Sequence, residues 1–134
     1  MAVTMLDGRV SDWMAVPVPA ITPKTGIETA LRLLREHGGQ ALPVLDGSRF
    51  VGLVDETSLL RLTPSDVTTL DVYELRNVLD GMTVSRVVER TPSIGATASV
   101  EDAVTLMRAG RYLVLPVLEA GRFVGLLPWT ALLP

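Results

Sequence analysis

The sequence contains no cysteine, and this absence excludes disulfides, thiolate catalysis and cysteine-ligated metal sites together. It also fits a cytoplasmic protein. Only one histidine and one lysine occur, and we find neither a glycine-rich phosphate loop nor paired carboxylates at a catalytic spacing. We therefore expect no catalytic residues and no metal site, and we interpret the chain as a non-enzymatic protein.

Long apolar runs are also lacking. No uninterrupted stretch approaches the roughly 18 residues that a membrane-spanning helix needs, and the first nine residues do not resemble a signal peptide. The formal net charge is −3, and the arginines are spread along the chain without a basic stripe. We therefore expect neither membrane insertion nor nucleic-acid binding.

Apolar residues, in contrast, are abundant. They make up 48% of the 134 residues, and the mean hydropathy is +0.37. This is apolar for a chain of this size that has no membrane span. The excess apolar surface predicts contact with another protein chain, and we expect a homodimer.

The most informative feature is an internal duplication. The segments ALPVL at 41–45 and RFVGL at 49–53 return as VLPVL at 114–118 and RFVGL at 122–126, each 73 residues later. This period is too long for a solenoid repeat, and two copies are too few for an array. The sequence therefore predicts a duplicated small module whose halves pack on each other.

Each copy has the same order of predicted elements. A short extended stretch containing proline precedes a helix, in which the apolar residues of 27–34 and of 100–107 fall at i, i+3, i+4 and i+7. Two apolar runs separated by a turn then predict a β-hairpin. A final short helix is expected at 56–62 and at 129–133. The order is strand, helix, strand, strand, helix.

Local signals refine the helix ends. Thr25 with Glu28 predicts a capping box, and Ser99 with Asp102 predicts a similar cap in the second copy. Glycine is expected to end both helices, at Gly38 and Gly39 in the first copy and at Gly110 in the second. Pro128 is expected in the first turn of the final helix.

We divide the chain into repeat 1 with its N-terminal segment at 1–62, a connector helix at 63–83 and repeat 2 at 84–134. This arrangement resembles the CBS domain pair, or Bateman module. The resemblance covers nearly the whole chain, so we expect a stand-alone CBS-pair protein. The motifs that carry it are LPVLD at 42–46 and FVGLV at 50–54, with LPVL at 115–118 and FVGLL at 123–127.

The resemblance implies an α/β (α+β) fold of two tandem βαββα repeats packed with pseudo-two-fold symmetry, and pairing of two chains. It also implies regulation of a partner protein, whose identity is unknown. Clefts between the repeats bind AMP, ATP, S-adenosylmethionine or related adenosine ligands in the family. We expect no required cofactor and, as a possible ligand, AMP, ATP or another adenosine compound.

Ligand-binding members carry a hydroxyl residue and, three residues later, an aspartate after the second hairpin strand. In the first copy these positions hold Asp55 and Ser58, so the types are exchanged. Asp55 either caps the following helix or caps it and also accepts hydrogen bonds from a ribose diol. In the second copy the positions hold Pro128 and Ala131, which have no polar side-chain atoms.

The remaining candidates would line the clefts. Apolar residues could sandwich a flat base or serve as core, and Arg111 with Tyr112 could stack on a base, meet a phosphate or lie in an exposed loop. The full set of ligand-binding candidates is Ala20, Ile21, Leu42, Pro43, Asp55, Ser58, Ser93, Ile94, Arg111, Tyr112, Leu115 and Pro116.

Two functional hypotheses follow. The first is a regulatory sensor module that binds an adenosine-type ligand. The alternative is an interaction or scaffold module with degenerate clefts that binds no small molecule, which the losses at Pro128 and Ala131 favour.

Overall fold

A computed structural model describes residues 8–15, 19–37, 41–60 and 81–132 of the chain. The described residues form two compact units. The repeat 1 unit contains those between Pro19 and Arg90. The repeat 2 unit contains 8–15 together with those from Thr91 onward.

The repeat 1 unit is built on a β-hairpin flanked by helices. Its elements are α2 (Ile27–Glu36), β1 (Leu42–Asp46), β2 (Arg49–Val54) and α3 (Glu56–Leu60). Strands β1 and β2 are antiparallel and shift register between Val44 and Leu45. Ile21 forms a parallel bridge to Val44, and its carbonyl accepts a hydrogen bond of 2.8 Å from the Leu45 amide. The predicted extended stretch before the helix is therefore present.

The repeat 2 unit has the same plan. It contains α1 (Val10–Trp13), β3 (Ile94–Gly95), α4 (Val100–Gly110), β4 (Val114–Glu119) and β5 (Arg122–Pro128), followed by a 3₁₀ turn at Trp129–Leu132. Strand β3 is parallel to β4, and β4 is antiparallel to β5. The hairpin shifts register between Val117 and Leu118, the counterpart of the irregularity in repeat 1.

Each unit has its own hydrophobic core, supplied by one face of its long helix and by the hairpin. In α2 the buried residues are Ile27, Ala30 and Leu34, and in α4 they are Val100, Ala103 and Met107. These are helix positions that the apolar spacing predicts. The hairpin residues buried against them include Leu42, Val44 and Val54 in repeat 1, and Leu115, Val117 and Leu127 in repeat 2.

The opening segment of each sequence repeat pairs with the hairpin of the other repeat. Glu89, in the opening segment of repeat 2, exchanges two backbone hydrogen bonds of 2.9 Å with Leu53 in β2. Ala15, in the N-terminal segment of repeat 1, exchanges two backbone hydrogen bonds with Leu126 in β5, at 2.7 and 3.3 Å. The compact units therefore do not share the boundaries of the sequence repeats. The predicted connector at 63–83 lies almost wholly outside the described residues.

One of the two predicted caps is confirmed. The Ser99 hydroxyl accepts a hydrogen bond of 3.0 Å from the Asp102 amide at the start of α4. The predicted capping box of Thr25 is wrong, because α2 begins after Gly26. The Thr25 hydroxyl instead accepts a hydrogen bond of 3.0 Å from the Thr22 amide, within a local turn.

In repeat 2 the predicted helix end at Gly110 is confirmed, and the predicted position of Pro128 is wrong. Gly110 is the last residue of α4, and the left-handed residue that follows it is Arg111, with φ 57°. Pro128 does not start the final helix, since it is the last residue of β5 and pairs with Val114. Because proline has no amide hydrogen, Pro128 donates no hydrogen bond to β4. The next residue does so instead: the Trp129 amide donates a hydrogen bond to the Leu113 carbonyl. The corresponding glycines of the first copy lie outside the described residues.

Candidate functional site

Asp55 and Ser58 cap helix α3 reciprocally. Asp55 lies between the end of β2 and Glu56, and its Oδ1 accepts a hydrogen bond of 2.7 Å from the Ser58 amide. The Ser58 hydroxyl accepts a bond of 3.1 Å from the Asp55 amide, and it donates one of 2.9 Å to the Asp55 carbonyl. This geometry is a capping box in which serine occupies the position usually held by glutamate.

The two side chains differ in what they leave for a ligand. Ser58 is only 3% exposed, and its single proton is already donated to Asp55. Asp55 is partly exposed, and within the described parts of the chain its Oδ2 has no hydrogen-bond donor. The cap therefore uses the Ser58 hydroxyl and one of the two carboxylate oxygens of Asp55.

The equivalent place in repeat 2 has no polar side chain. Pro128 is buried in the β5 ladder, and Ala131 is half-buried in the 3₁₀ turn. Neither residue offers a side-chain donor or acceptor to a ribose or a phosphate. Repeat 2 thus lacks the polar groups that the family pattern places here.

Most of the apolar candidates lie in the cores. Ile21 and Leu42 belong to the core of repeat 1, and Ile94 and Leu115 belong to that of repeat 2. Pro43 and Pro116 are buried in β1 and β4, whereas Ala20 and Ser93 are exposed. Leu42 is 1% exposed and Leu115 is fully buried, so their side chains are packed against their own units.

Arg111 and Tyr112 occupy different environments. Tyr112 packs against the core of repeat 2, its ring covers Gly110, and its amide donates a bond of 3.0 Å to Met107. Arg111 is exposed and caps the carboxyl end of α4 in the left-handed conformation. Of this pair, only Arg111 is exposed, and Tyr112 is half-buried.

Two exposed apolar side chains were not among the predicted site residues. Leu113 is 65% exposed and Trp129 is 45% exposed. Comparing the two copies of the repeat could have identified these two residues. The corresponding positions in the first copy, 73 residues earlier, hold the polar residues Gln40 and Glu56. A change from polar to large apolar residues at exposed positions is informative.

The described residues contain no group of three or more His, Asp or Glu side chains that could hold a metal ion. None of the helices in this part of the chain is long and apolar enough to cross a membrane.

Each unit contains an extended segment, a long helix and a β-hairpin, in the order βαββ. The two hairpins shift register at corresponding residues, and the two helices bury residues at corresponding positions. This arrangement is typical of a pair of CBS repeats. The sequence profile of the CBS domain matches residues 10–65 and 83–133. The chain therefore belongs to the CBS domain family.

Two curated relatives are similar to this chain over part of their own length. An inosine-5'-monophosphate dehydrogenase of Korarchaeum cryptofilum is 29% identical over 120 residues, covering 88% of this chain. An uncharacterized protein of Methanocaldococcus jannaschii, MJ0450, is 25% identical over 88 residues, covering 64% of this chain. The chain spans about a fifth of the first relative (22%) and about half of the second (47%).

Solved structures share the fold. CBSX2 in complex with AMP is 28% identical, with a TM-score of 0.74 and coverage of 92% of both chains; a further CBSX2 structure is from Arabidopsis thaliana. The CBS domain of a membrane protein from Sphaerobacter thermophilus has a TM-score of 0.81 at 20% identity, covering 96% of this chain and 87% of that one. Hypoxic Response Protein I with two coordinated zinc ions has a TM-score of 0.76 at 21% identity, covering 95% and 100%. The predicted α/β class of a CBS-pair protein is confirmed.

Proposed function

We propose that this chain is a non-catalytic regulatory module that binds an adenosine-type ligand, with Asp55 of repeat 1 accepting the ribose hydroxyls. The observation that carries the proposal is the state of the Asp55 carboxylate. Its Oδ1 holds the helix cap, while Oδ2 on the same partly exposed side chain is available to accept a hydrogen bond. A ribose diol supplies two hydroxyl donors, and a charged acceptor binds such donors strongly.

Two further facts support this proposal. A relative of 28% identity was solved in complex with AMP. Repeat 2 offers no side-chain acceptor at Pro128 or Ala131, so polar recognition falls to repeat 1. The ligand would bind reversibly and would not be needed for folding, because each unit already has its own core.

Thermal unfolding in the presence of AMP, ADP, ATP, S-adenosylmethionine and NADH tests the proposal. A ligand at 100 times its Kd stabilises the folded state by roughly 2.7 kcal/mol, which raises Tm by several degrees. Asp55→Ala removes both the cap and the acceptor, so we expect it to lower stability by about 1 kcal/mol and to abolish the ligand-induced shift. The matched control is Ser99→Ala, which removes the cap of α4 and should keep that shift.

Two results would contradict the proposal. An equal shift in wild type and Asp55→Ala would place the ligand elsewhere. No shift with any compound would favour the alternative, an interaction module without a small-molecule ligand. Two observations support that alternative. Asp55 and Ser58 form hydrogen bonds with each other, and Pro128 is buried.

We further propose that the chain forms a homodimer, because 48% of its residues are hydrophobic and a partner chain would cover apolar surface. Sedimentation equilibrium should give about twice the chain mass of 14.4 kDa. A mass of one chain at the highest soluble concentration would contradict this part of the proposal.

A further inference from the structure

Leu113 and Trp129 are two exposed apolar residues at the end of the repeat 2 hairpin. They come immediately before Val114 and after Pro128, which pair across β4 and β5. The Trp129 amide donates a hydrogen bond of 2.8 Å to the Leu113 carbonyl, so the two residues lie opposite each other. The two exposed apolar side chains therefore start from neighbouring backbone positions at this end of the hairpin, and we call them the Leu113–Trp129 patch.

The charge beside the patch is positive. Arg111 lies two residues before Leu113, and Arg108 lies in the last turn of α4. Both arginines are exposed, and among the described residues neither is in an ion pair. An unpaired guanidinium beside an exposed apolar surface favours a partner that brings a carboxylate.

Repeat 1 provides an internal comparison. The positions that correspond to Leu113, Trp129 and Arg111 hold Gln40, Glu56 and Gly38. The two copies share their hairpin motifs and the apolar spacing of their long helices, yet they differ at all three of these positions. The shared fold therefore does not require an apolar and cationic surface here.

We propose that the Leu113–Trp129 patch with Arg111 is a docking surface for a segment of a partner protein that carries apolar side chains next to acidic ones. The apolar residues would bury Trp129 and Leu113, and the carboxylates would pair with the arginine. Exposed tryptophan and arginine are the residue types that contribute most to protein interfaces. A second copy of this patch fits less well, because it would bring arginine against arginine. The inference does not depend on nucleotide binding.

Selection from a display library of short random peptides, without any nucleotide present, tests the proposal. The enriched peptides should combine aromatic or aliphatic residues with Asp or Glu. The Kd of one synthetic peptide from that set, measured by fluorescence anisotropy, should rise about tenfold or more in Trp129→Glu and in Leu113→Gln. In Arg111→Gln the Kd should rise less, and its dependence on salt should weaken.

Two controls distinguish loss of the binding surface from unfolding of the protein. Glu56→Gln changes the repeat 1 counterpart of Trp129 and should leave the Kd unchanged. Leu113 is the more exposed of the two apolar residues, so Leu113→Gln should keep the wild-type Tm even if Trp129→Glu does not. Either no enrichment or an enriched peptide whose Kd is the same in Leu113→Gln would overturn the proposal. A dimer that dissociates in Leu113→Gln would also overturn it, by showing that a second copy covers the patch.

Discussion

Replacing Gly52 by alanine is expected to lower the free energy of unfolding by about 3 kcal/mol. A Cβ at Gly52 would lie 2.5 Å from the Glu89 carbonyl oxygen and 2.5 Å from Val88 Cγ1. The first of these contacts is with backbone, so it cannot be relieved by a side-chain rotation. The segment 88–89 must move away from β2, which breaks the two hydrogen bonds between Leu53 and Glu89.

Equilibrium urea unfolding followed by circular dichroism measures this effect. Gly95→Ala is the matched control, because Gly95 also lies in a strand but nothing is within 4 Å of its added Cβ. The control should change stability by less than about 0.5 kcal/mol. Equal stabilities of the two variants would mean that segment 88–89 does not pack against β2 as described.

Leu42→Ala and Leu115→Ala are each expected to lower stability by about 3 kcal/mol, the usual cost of truncating a fully buried leucine. Both residues are candidates for contact with a flat base, but Leu42 is 1% exposed and Leu115 is fully buried. Leu42 packs in the repeat 1 core and Leu115 in the repeat 2 core. The loss should therefore occur in the absence of any ligand.

Volume-conserving variants separate a core role from a ligand role. Leu42→Met and Leu115→Met should reduce stability by less than about 1.5 kcal/mol, and AMP should raise Tm in them as much as in wild type. Urea unfolding and thermal shift provide the two measurements. If the alanine variants were as stable as wild type and lost only the ligand-induced shift, these leucines would be ligand contacts and not core residues.

Much of the fold could be predicted because the two copies confirm each other. The apolar spacing of 27–34 and 100–107 gives the buried helix faces, since a helix buries one stripe wherever it packs on a sheet. The Ser99 cap could be predicted because it depends on residues three apart. Where a local alternative competes, the pattern fails, as when the turn at Thr22 takes the Thr25 hydroxyl.

The pairing of Glu89 with Leu53 and of Ala15 with Leu126 could not be predicted from the sequence. These contacts join segments that are far apart in the chain. A single paired residue also produces no periodic pattern in the sequence from which a strand could be predicted. For the same reason, the repeat pattern alone could not say which hairpin each opening segment joins.

The candidate site was predictable only as a set of residue types. The exchange of Asp55 and Ser58 relative to the family pattern is evident in the sequence, but the hydrogen bond that uses the Ser58 proton depends on geometry. The exposure of Leu113 and Trp129 likewise depends on how the hairpin ends. Burial and hydrogen-bond partners are properties of packing, so they required the structure.

Isothermal titration of AMP into wild type and Asp55→Asn tests the central claim most directly. Asparagine caps a helix about as well as aspartate, so this variant should fold normally while losing the charged acceptor at Oδ2. We predict saturable AMP binding to wild type and a Kd about tenfold weaker in Asp55→Asn. An absence of binding to wild type, or an equal Kd in both proteins, would contradict the assignment of Asp55 as the ribose acceptor.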